Sequence, residues 1–443
     1  MGLVNPRPAI PVGQISAGRD VVSSAEAVGS HPGLLADRLV IIAADQVAER
    51  GLVAVSARSI ASVANASPGS INYNFGGIEQ LLHQAFQLGV MRTEQWIRAH
   101  ERDVLALPRT SNGAARALEH TVVRWTQAAR PLALLYQEHL AATRREPSTW
   151  TLLWRDFFLR LAEAFNLNEF DGRLMHLLFE AEALYNLSNW SPALEAAALR
   201  ESIDHFSAFW LGGAPAPLIG AQTQAEQTAR MATSADMPPT AIRIAEAAAE
   251  VVKTGLDALT HRSVATQAGL TTGAVTRYFR SKEQLVAAAM QGLLLTADVP
   301  MPLNRVHTAE EFAASLRTNV LSAGAADRVR QRRSLFLAAL RRSDLATAGA
   351  VMRFAHGRNT RAVLASAFDM QPEALALQPG LLSRLLFAIP VATQPEDSPI
   401  ETQARLASAI ESRLMNQIPV KAHAIPARLM PRPSPVDDSV PSE

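Results

Sequence analysis

Two stretches of the chain set hydroxyl, glycine and small polar residues at the same spacing. Residues 67–82 read SPGSINYNFGGIEQLL, and residues 271–286 read TTGAVTRYFRSKEQLV. Ser67 and Thr271 open the two stretches, and Ser56 and Thr260 stand eleven positions before them. A hydroxyl at a helix start can cap the helix, and together with free backbone N–H groups it suits phosphate oxygens. Both roles fit these four residues. Behind the hydroxyls come Pro68, Gly69, Ser70, Asn72, Tyr73 and Asn74 in one stretch, and Thr272, Gly273, Ala274, Thr276, Arg277 and Tyr278 in the other. Glycine allows close backbone approach, small side chains leave room for a thymine methyl, and an asparagine such as Asn72 can read adenine. Ile71, Phe75, Val275 and Phe279 are expected in a core. Lys282 would meet a phosphate as a point charge, which Ile78 at the matching position cannot do.

These residues belong to a longer repeat. GLVAVSARSIASVANA (51–66) aligns without a gap with GLDALTHRSVATQAGL (255–270). Gly51, Leu52, Ala54, Arg58, Ser59, Ala61 and Ala64 recur as Gly255, Leu256, Ala258, Arg262, Ser263, Ala265 and Ala268. Apolar helical stretches precede each copy at 38–50 and 241–254, shifted in phase by about one residue. Each unit therefore reads as three short helices. The first stops at glycine, and the second and third start at hydroxyl caps. The last two helices and their tight turn make a helix-turn-helix, whose second helix can enter a major groove.

Composition bounds the rest. The chain has 443 residues, 48% of them hydrophobic, and a formal net charge of +1. Binding to nucleic acid must then come from local patches rather than bulk charge. The absence of cysteine excludes disulfides, thiolate metal sites and cysteine nucleophiles, and fits a cytoplasmic location. No secretory leader and no run of about 20 apolar residues is apparent, so no membrane partner is expected. Phosphate-binding Gly-Lys-Ser/Thr loops, Gly-x-Ser-x-Gly elbows and His-Glu-x-x-His helices are missing, so neither an enzyme nor a cofactor or metal site is expected. Helical periodicity continues over about 78–106, 112–129, 131–143, 148–165, 171–188 and 192–210. It resumes over about 282–297, 309–322, 328–342, 345–367, 372–389 and 399–416.

The expected class is all-α. The reading divides the chain into a tail (1–32), a first head (33–82), a first helical domain (83–211), a linker (212–239), a second head (240–286), a second helical domain (287–418) and a tail (419–443). Both heads, RLVIIAADQVAERG…SARSIASVANASPGSINYNFGGIEQLL and RIAEAAAEVVKTGLDALTHRSVATQAGLTTGAVTRYFRSKEQLV, resemble the N-terminal DNA-binding domain of the TetR family of bacterial regulators. The second follows the family pattern more closely. In the first, Asn65 replaces a turn glycine and Ile78 replaces a lysine. The resemblance implies an omega-shaped arrangement in which two heads read half-sites of a palindrome and the C-terminal domains hold a ligand and a four-helix interface. One chain would carry both protomers as an intramolecular pseudo-dimer, with further homodimerisation left open.

The resemblance also implies roles. Arg58 and Arg262 match an arginine that reads guanine in some members, through bidentate pairing to O6 and N7; a structural salt bridge is the other reading. Expected partners are a double-stranded DNA operator and a small-molecule effector of unknown identity. Trp125, Tyr136, His139, Trp150 and Trp154 are candidate walls for the effector, with ordinary core packing as the alternative. The basic run RVRQRRSLFLAALRR (328–342) reads as a solvated helix face, and the segments 191–210 and 399–418 as parts of the interface between halves. The function expected is a sequence-specific transcriptional regulator, a repressor released by its ligand. A second reading is a helical small-molecule sensor or interaction scaffold whose first head has lost DNA binding, motivated by Asn65 and Ile78.

Overall fold

The periodic apolar segments fold as helices in a computed structural model that describes residues 32–142, 149–233, 237–298, 308–370, 374–394 and 396–418. Both expected tails lie outside the described residues, except that Pro32 already starts a helix. No β-strand occurs among the described residues, so the chain is all-α. The first head is α1 (Pro32–Arg50), α2 (Ala57–Val63) and α3 (Pro68–Phe75). Behind it follow α4 (Ile78–Val104), α5 (Ser111–Gln127), α6 (Arg130–Ala142), α7 (Thr149–Ala164), α8 (Glu169–Tyr185) and α9 (Pro192–Trp210). After α10 (Ala221–Thr233) the second head is α11 (Pro239–Val252), α12 (His261–Ala268) and α13 (Thr272–Tyr278). It is followed by α14 (Lys282–Asp298), α15 (Ala309–Leu321), α16 (Ala325–Leu340), α17 (Ala346–Phe354), α18 (Arg358–Ala367), α19 (Ala374–Ala392) and α20 (Pro399–Gln417).

Two elements depart from the periodicity. The segment expected as one helix over 345–367 breaks into α17 and α18 at Gly357, whose φ of +105° is left-handed and ends a run of right-handed turns. The connection over 212–239 contains α10. Ala221, Ala225 and Ala229 recur every four residues and pack with Ala198 of α9 and Ala350, Val351 and Phe354 of α17. Small residues let this helix sit close against both halves. The buried Glu201 carboxylate of α9 fixes its start by accepting from the amides of Ile219, Gly220 and Gln222 at 2.7, 2.6 and 2.8 Å. A negative charge at a helix N-terminus is favourable there.

One apolar cluster runs from Leu39 in the first head through the first helical domain into α19 and α20. The second head has its own cluster, built on Ile244, Val264, Val275 and Leu285. Helix α8 lies along α19, and α6 along α16. Ion pairs cross between the halves in both senses, and Arg173 of α8 lies 2.5 Å from Glu396 of the second half. Arg353 of α17 lies 3.4 Å from Glu182 and 3.5 Å from Glu195, and Arg384 of α19 lies 3.2 Å from Glu182. Arg413 of α20 lies 2.8 Å from Asp171 of α8, and Arg341 lies 2.7 Å from Glu138 of α6. Arg353 and Glu182 are almost fully buried, so each depends on its partner to offset desolvation.

Helix α19 is long and apolar enough by composition to suit a bilayer, although Gln378, Ser383 and Arg384 interrupt its apolar run. It is largely buried inside the protein and carries the buried Arg384. The basic run over 328–342 also differs from a solvated face. Arg333 is fully buried and donates to Gln137 of α6, and Arg330 is nearly so. The reason is position: α16 lies between α6, α17 and α19, with no side turned wholly to water.

Candidate nucleic-acid interface

The two helix-turn-helix segments are built by the same local bonds. In the first, the Ser59 amide donates to Ser56 Oγ at 3.1 Å and the Ser56 amide donates to Ser59 Oγ at 3.0 Å. In the second, Ser263 and Thr260 make the equivalent pair at 3.1 and 3.0 Å. Each reciprocal pair satisfies two amides that a helix start would otherwise leave free. The turns close alike. The Ala66 amide donates to the Ala61 carbonyl at 2.9 Å, and the Leu270 amide to the Ala265 carbonyl at 2.9 Å. Asn65 (φ 50°) and Gly269 (φ 61°) supply the left-handed residue this closure requires. Asparagine tolerates that region better than other non-glycine residues, so the Asn65 substitution leaves the turn intact. An arginine of each leading helix seals the turn: Arg38 donates to the Ala64 carbonyl, and Arg243 lies against Gly269.

Apolar anchors fix which face of the third helix points outward. Ile71 and Val275 are fully buried, and Phe75 and Phe279 pack partly beneath them. That leaves Ser67, Pro68, Gly69, Asn72 and Tyr73 exposed in the first head, with Tyr73 at 87% exposure, and Ser70 and Asn74 half-buried. In the second head Thr271, Thr272, Gly273, Thr276, Arg277 and Tyr278 are exposed and Ala274 is half-buried. Ser56, Arg58, Thr260, Arg262 and Lys282 are exposed as well. Neither Arg58 nor Arg262 forms an ion pair among the described residues, and both are exposed.

The hydroxyls divide. Thr271 Oγ1 accepts from the Ala274 amide at 3.2 Å, whereas Ser67 makes no cap bond and sits 3.2 Å from Ser70 Oγ. Asn74 turns back on its own helix, donating to the Ser70 carbonyl at 2.7 Å. Thr276 does the same toward Thr272 at 2.9 Å. The heads differ most at the end of the third helix. Gly76 ends α3 in a left-handed cap, while α13 ends at Phe279 in extended backbone and runs into Arg280 and Lys282. Ile78 packs partly buried against the first head's core.

Sequence reasoning missed a residue that positions the first head. Arg341, just beyond α16 in the second half, donates to the carbonyls of Val47, Ala48 and Glu49 at 3.4, 3.3 and 3.2 Å. These are the last carbonyls of α1. A cation there offsets the negative end of the helix dipole. Glu138 completes the clamp by pairing with Arg341 and accepting from the Leu52 amide at 3.2 Å. The sequence signal was the basic run ending in Arg341 and Arg342, with nothing in it to name α1 as the target.

The five aromatic candidates for an effector site do meet. Trp125 and Trp154 centroids lie 4.9 Å apart, Trp125 and Tyr136 6.4 Å, Tyr136 and Trp150 5.2 Å, and His139 and Trp150 5.7 Å. The four larger rings are fully buried. Trp150 Nε1 donates to Thr93 Oγ1 at 2.8 Å and Tyr136 donates to Glu180. The indole N–H groups of Trp125 and Trp154 have no acceptor among the described residues. Burial, and then the nearby His83, push the His139 imidazole down to about 4.

Residues 42–85 and 244–289 each match the family described as bacterial regulatory proteins, tetR family. No curated protein matches the chain. Each matched segment contains one of the two helix-turn-helix motifs with its outward-facing third helix. The chain is thus a TetR-family DNA-binding transcriptional regulator carrying two TetR-like units in tandem.

Proposed function

We propose that one chain reads one operator as an intramolecular pseudo-dimer, with two unlike heads on an imperfect palindrome. The observation that carries this reading is the shared turn geometry beside unlike outward residues, Asn72 and Tyr73 against Thr276 and Arg277. The packing of α8 on α19 and the ion pairs that cross between the halves support a fixed partnership between them. Ser56, Ser67, Thr260, Thr271 and Lys282 contact phosphates; Arg58, Arg262 and the exposed residues of α3 and α13 face the bases. Fusion makes the second contact intramolecular and raises its effective concentration.

The regulator acts as a repressor released by a small molecule held among α5 to α8 of the first half. The unpartnered indole N–H groups of Trp125 and Trp154 support that site, because buried donors call for an acceptor. A mobility-shift titration of the full chain tests the reading. Specific, salt-sensitive retardation of one duplex by one chain is expected. Retention of sequence-specific binding after the exposed α3 residues are replaced would instead favour a chain whose first head no longer reads DNA.

A further inference from the structure

A second concavity lies where the connecting helix meets the second half, outside both heads and outside the aromatic cluster. Its walls come from α10, from the α17–α18 break and from α19, and include Gln222, Glu226, His356, Arg358, Arg361 and Arg384. Three guanidiniums face one carboxylate there. Glu226 lies 3.0 Å from Arg358 and is shared with Arg230 at 3.2 Å. Arg384 is buried and pairs with Glu182 at 3.2 Å, an acid that it shares with Arg353. Arg361 is exposed and donates to the Ala376 carbonyl at 3.2 Å, which leaves its charge uncompensated by any acid among the described residues.

The backbone adds to the positive field. Gly357 begins α18 in a left-handed conformation, with no side chain capping the helix start. A Cβ at Gly357 would meet the Pro379 carbonyl at 2.6 Å and Gly380 at 2.7 Å, so only glycine lets α18 start this close to α19. Helix N-termini and arginine forks both favour oxyanions. Burial and then the neighbouring Arg230 depress Arg358 from its ordinary value against the pull of Glu226, with Arg361 adding to the depression.

We infer that this concavity binds a compact, multiply charged oxyanion, a phosphate or carboxylate group, that ties α10 to α17–α19. Its argument is independent of the operator and of the aromatic site. Occupancy would fasten the strap between the halves, because α10 also packs on α9 and α17 packs on α14 behind the second head.

The test is calorimetric titration of the full-length chain with inorganic phosphate and, separately, succinate, at constant ionic strength set with sodium chloride. Saturable binding of at least one probe is expected, and which one binds separates the phosphate from the carboxylate source. Arg361→Gln should weaken it about tenfold, the worth of one charge-assisted contact. Glu226→Gln should tighten it several-fold, because the acid competes for Arg358; a general loss of folding cannot produce that sign. Arg262→Ala with Lys282→Ala, which removes cations from a head, should leave it unchanged. Absence of saturable binding by both probes overturns the inference. So does binding that survives Arg361→Gln, fails to tighten in Glu226→Gln, or disappears with the head variant.

Discussion

Asn65 and Gly269 hold the same left-handed backbone conformation, at φ 50° and 61°, in equivalent places of the two turns. The substitution that most set the first head apart therefore changes the residue and keeps the geometry. Asn65→Gly should alter stability by a few tenths of a kcal/mol at most. Asn65→Val should cost about 1–2 kcal/mol, because a β-branched side chain is strained there. Gly269→Ala should cost about as much, since its Cβ would also stand 3.0 Å from Arg243 Nη2. Urea unfolding of the three variants checks the ranking. Equal stability of Asn65→Val and the parent would remove the turn from the account.

The second head should contribute more of the salt dependence. It presents Arg277, Arg280 and Lys282 where the first has Tyr73, Gly76 and Ile78. Lys282→Ala should weaken binding to all sequences alike and reduce the salt slope by roughly 0.9. Arg262→Ala should cost about 1–3 kcal/mol and relax one position of its half-site. Ile78→Ala should leave the salt slope unchanged while lowering stability, because Ile78 packs into the head's core. Larger losses from Arg58→Ala than from Arg262→Ala in folded protein would reverse the ranking.

Much of this was legible because it is local. A helix-turn-helix is specified by caps, a turn residue and a few apolar anchors within about 45 residues, as between positions 38 and 82. Ser56, Asn65 and Ile71 carry that information in their own types. The interface was not legible. Arg333 and Arg353 look like solvent residues, and only the acids and amides brought to them from α6, α8 and α9 explain their burial. Helix α10 escaped for another reason: its contact face is alanine, too weakly apolar to produce a periodic signal. The aromatic cluster was foreseen as a set, but residue types alone could not separate a filled core from a ligand wall.

The clamp on α1 makes the first head depend on the second half. Arg341→Ala should destabilise the first head by about 1–2 kcal/mol, the scale of a partly buried cation at a helix C-terminus. Hydrogen exchange should rise at the C-terminal turn of α1, and operator affinity should fall although Arg341 is placed away from the outward face of α3. Exchange unchanged in α1 would show that the clamp carries no stability.

Glu182 neutralises two buried arginines across the halves. Glu182→Gln should cost about 3–5 kcal/mol, because Arg353 and Arg384 would be left with too little opposing charge. Replacing all three with apolar residues of similar volume should restore most of that loss. Chemical denaturation of both variants distinguishes the cases, and a loss under 1 kcal/mol in Glu182→Gln would contradict the assignment.

Stability should fall on mild acidification. His100 is held at about 4 by burial and then by His120, below its ordinary 6.5, and bonds Thr121 Oγ1 at 2.9 Å. His139 is also lowered to about 4. In the unfolded chain both would protonate near 6.5, so below that pH the unfolded state binds more protons. The penalty grows from about pH 6.5 down to about pH 4 and then levels off. His100→Gln should flatten part of this slope in thermal unfolding at pH 7, 5.5 and 4.5; an unchanged slope would count against the buried neutral ring.

The central claim is that one chain supplies two unlike readers to one operator. Selection of duplexes bound by the full chain, followed by stoichiometric titration of the recovered sequence, measures it directly. The account predicts two different half-sites, one helical turn of roughly 34–36 Å or a multiple of it apart, saturated by one chain per duplex. A perfect palindrome that requires two chains, or no sequence enriched above background, would contradict it.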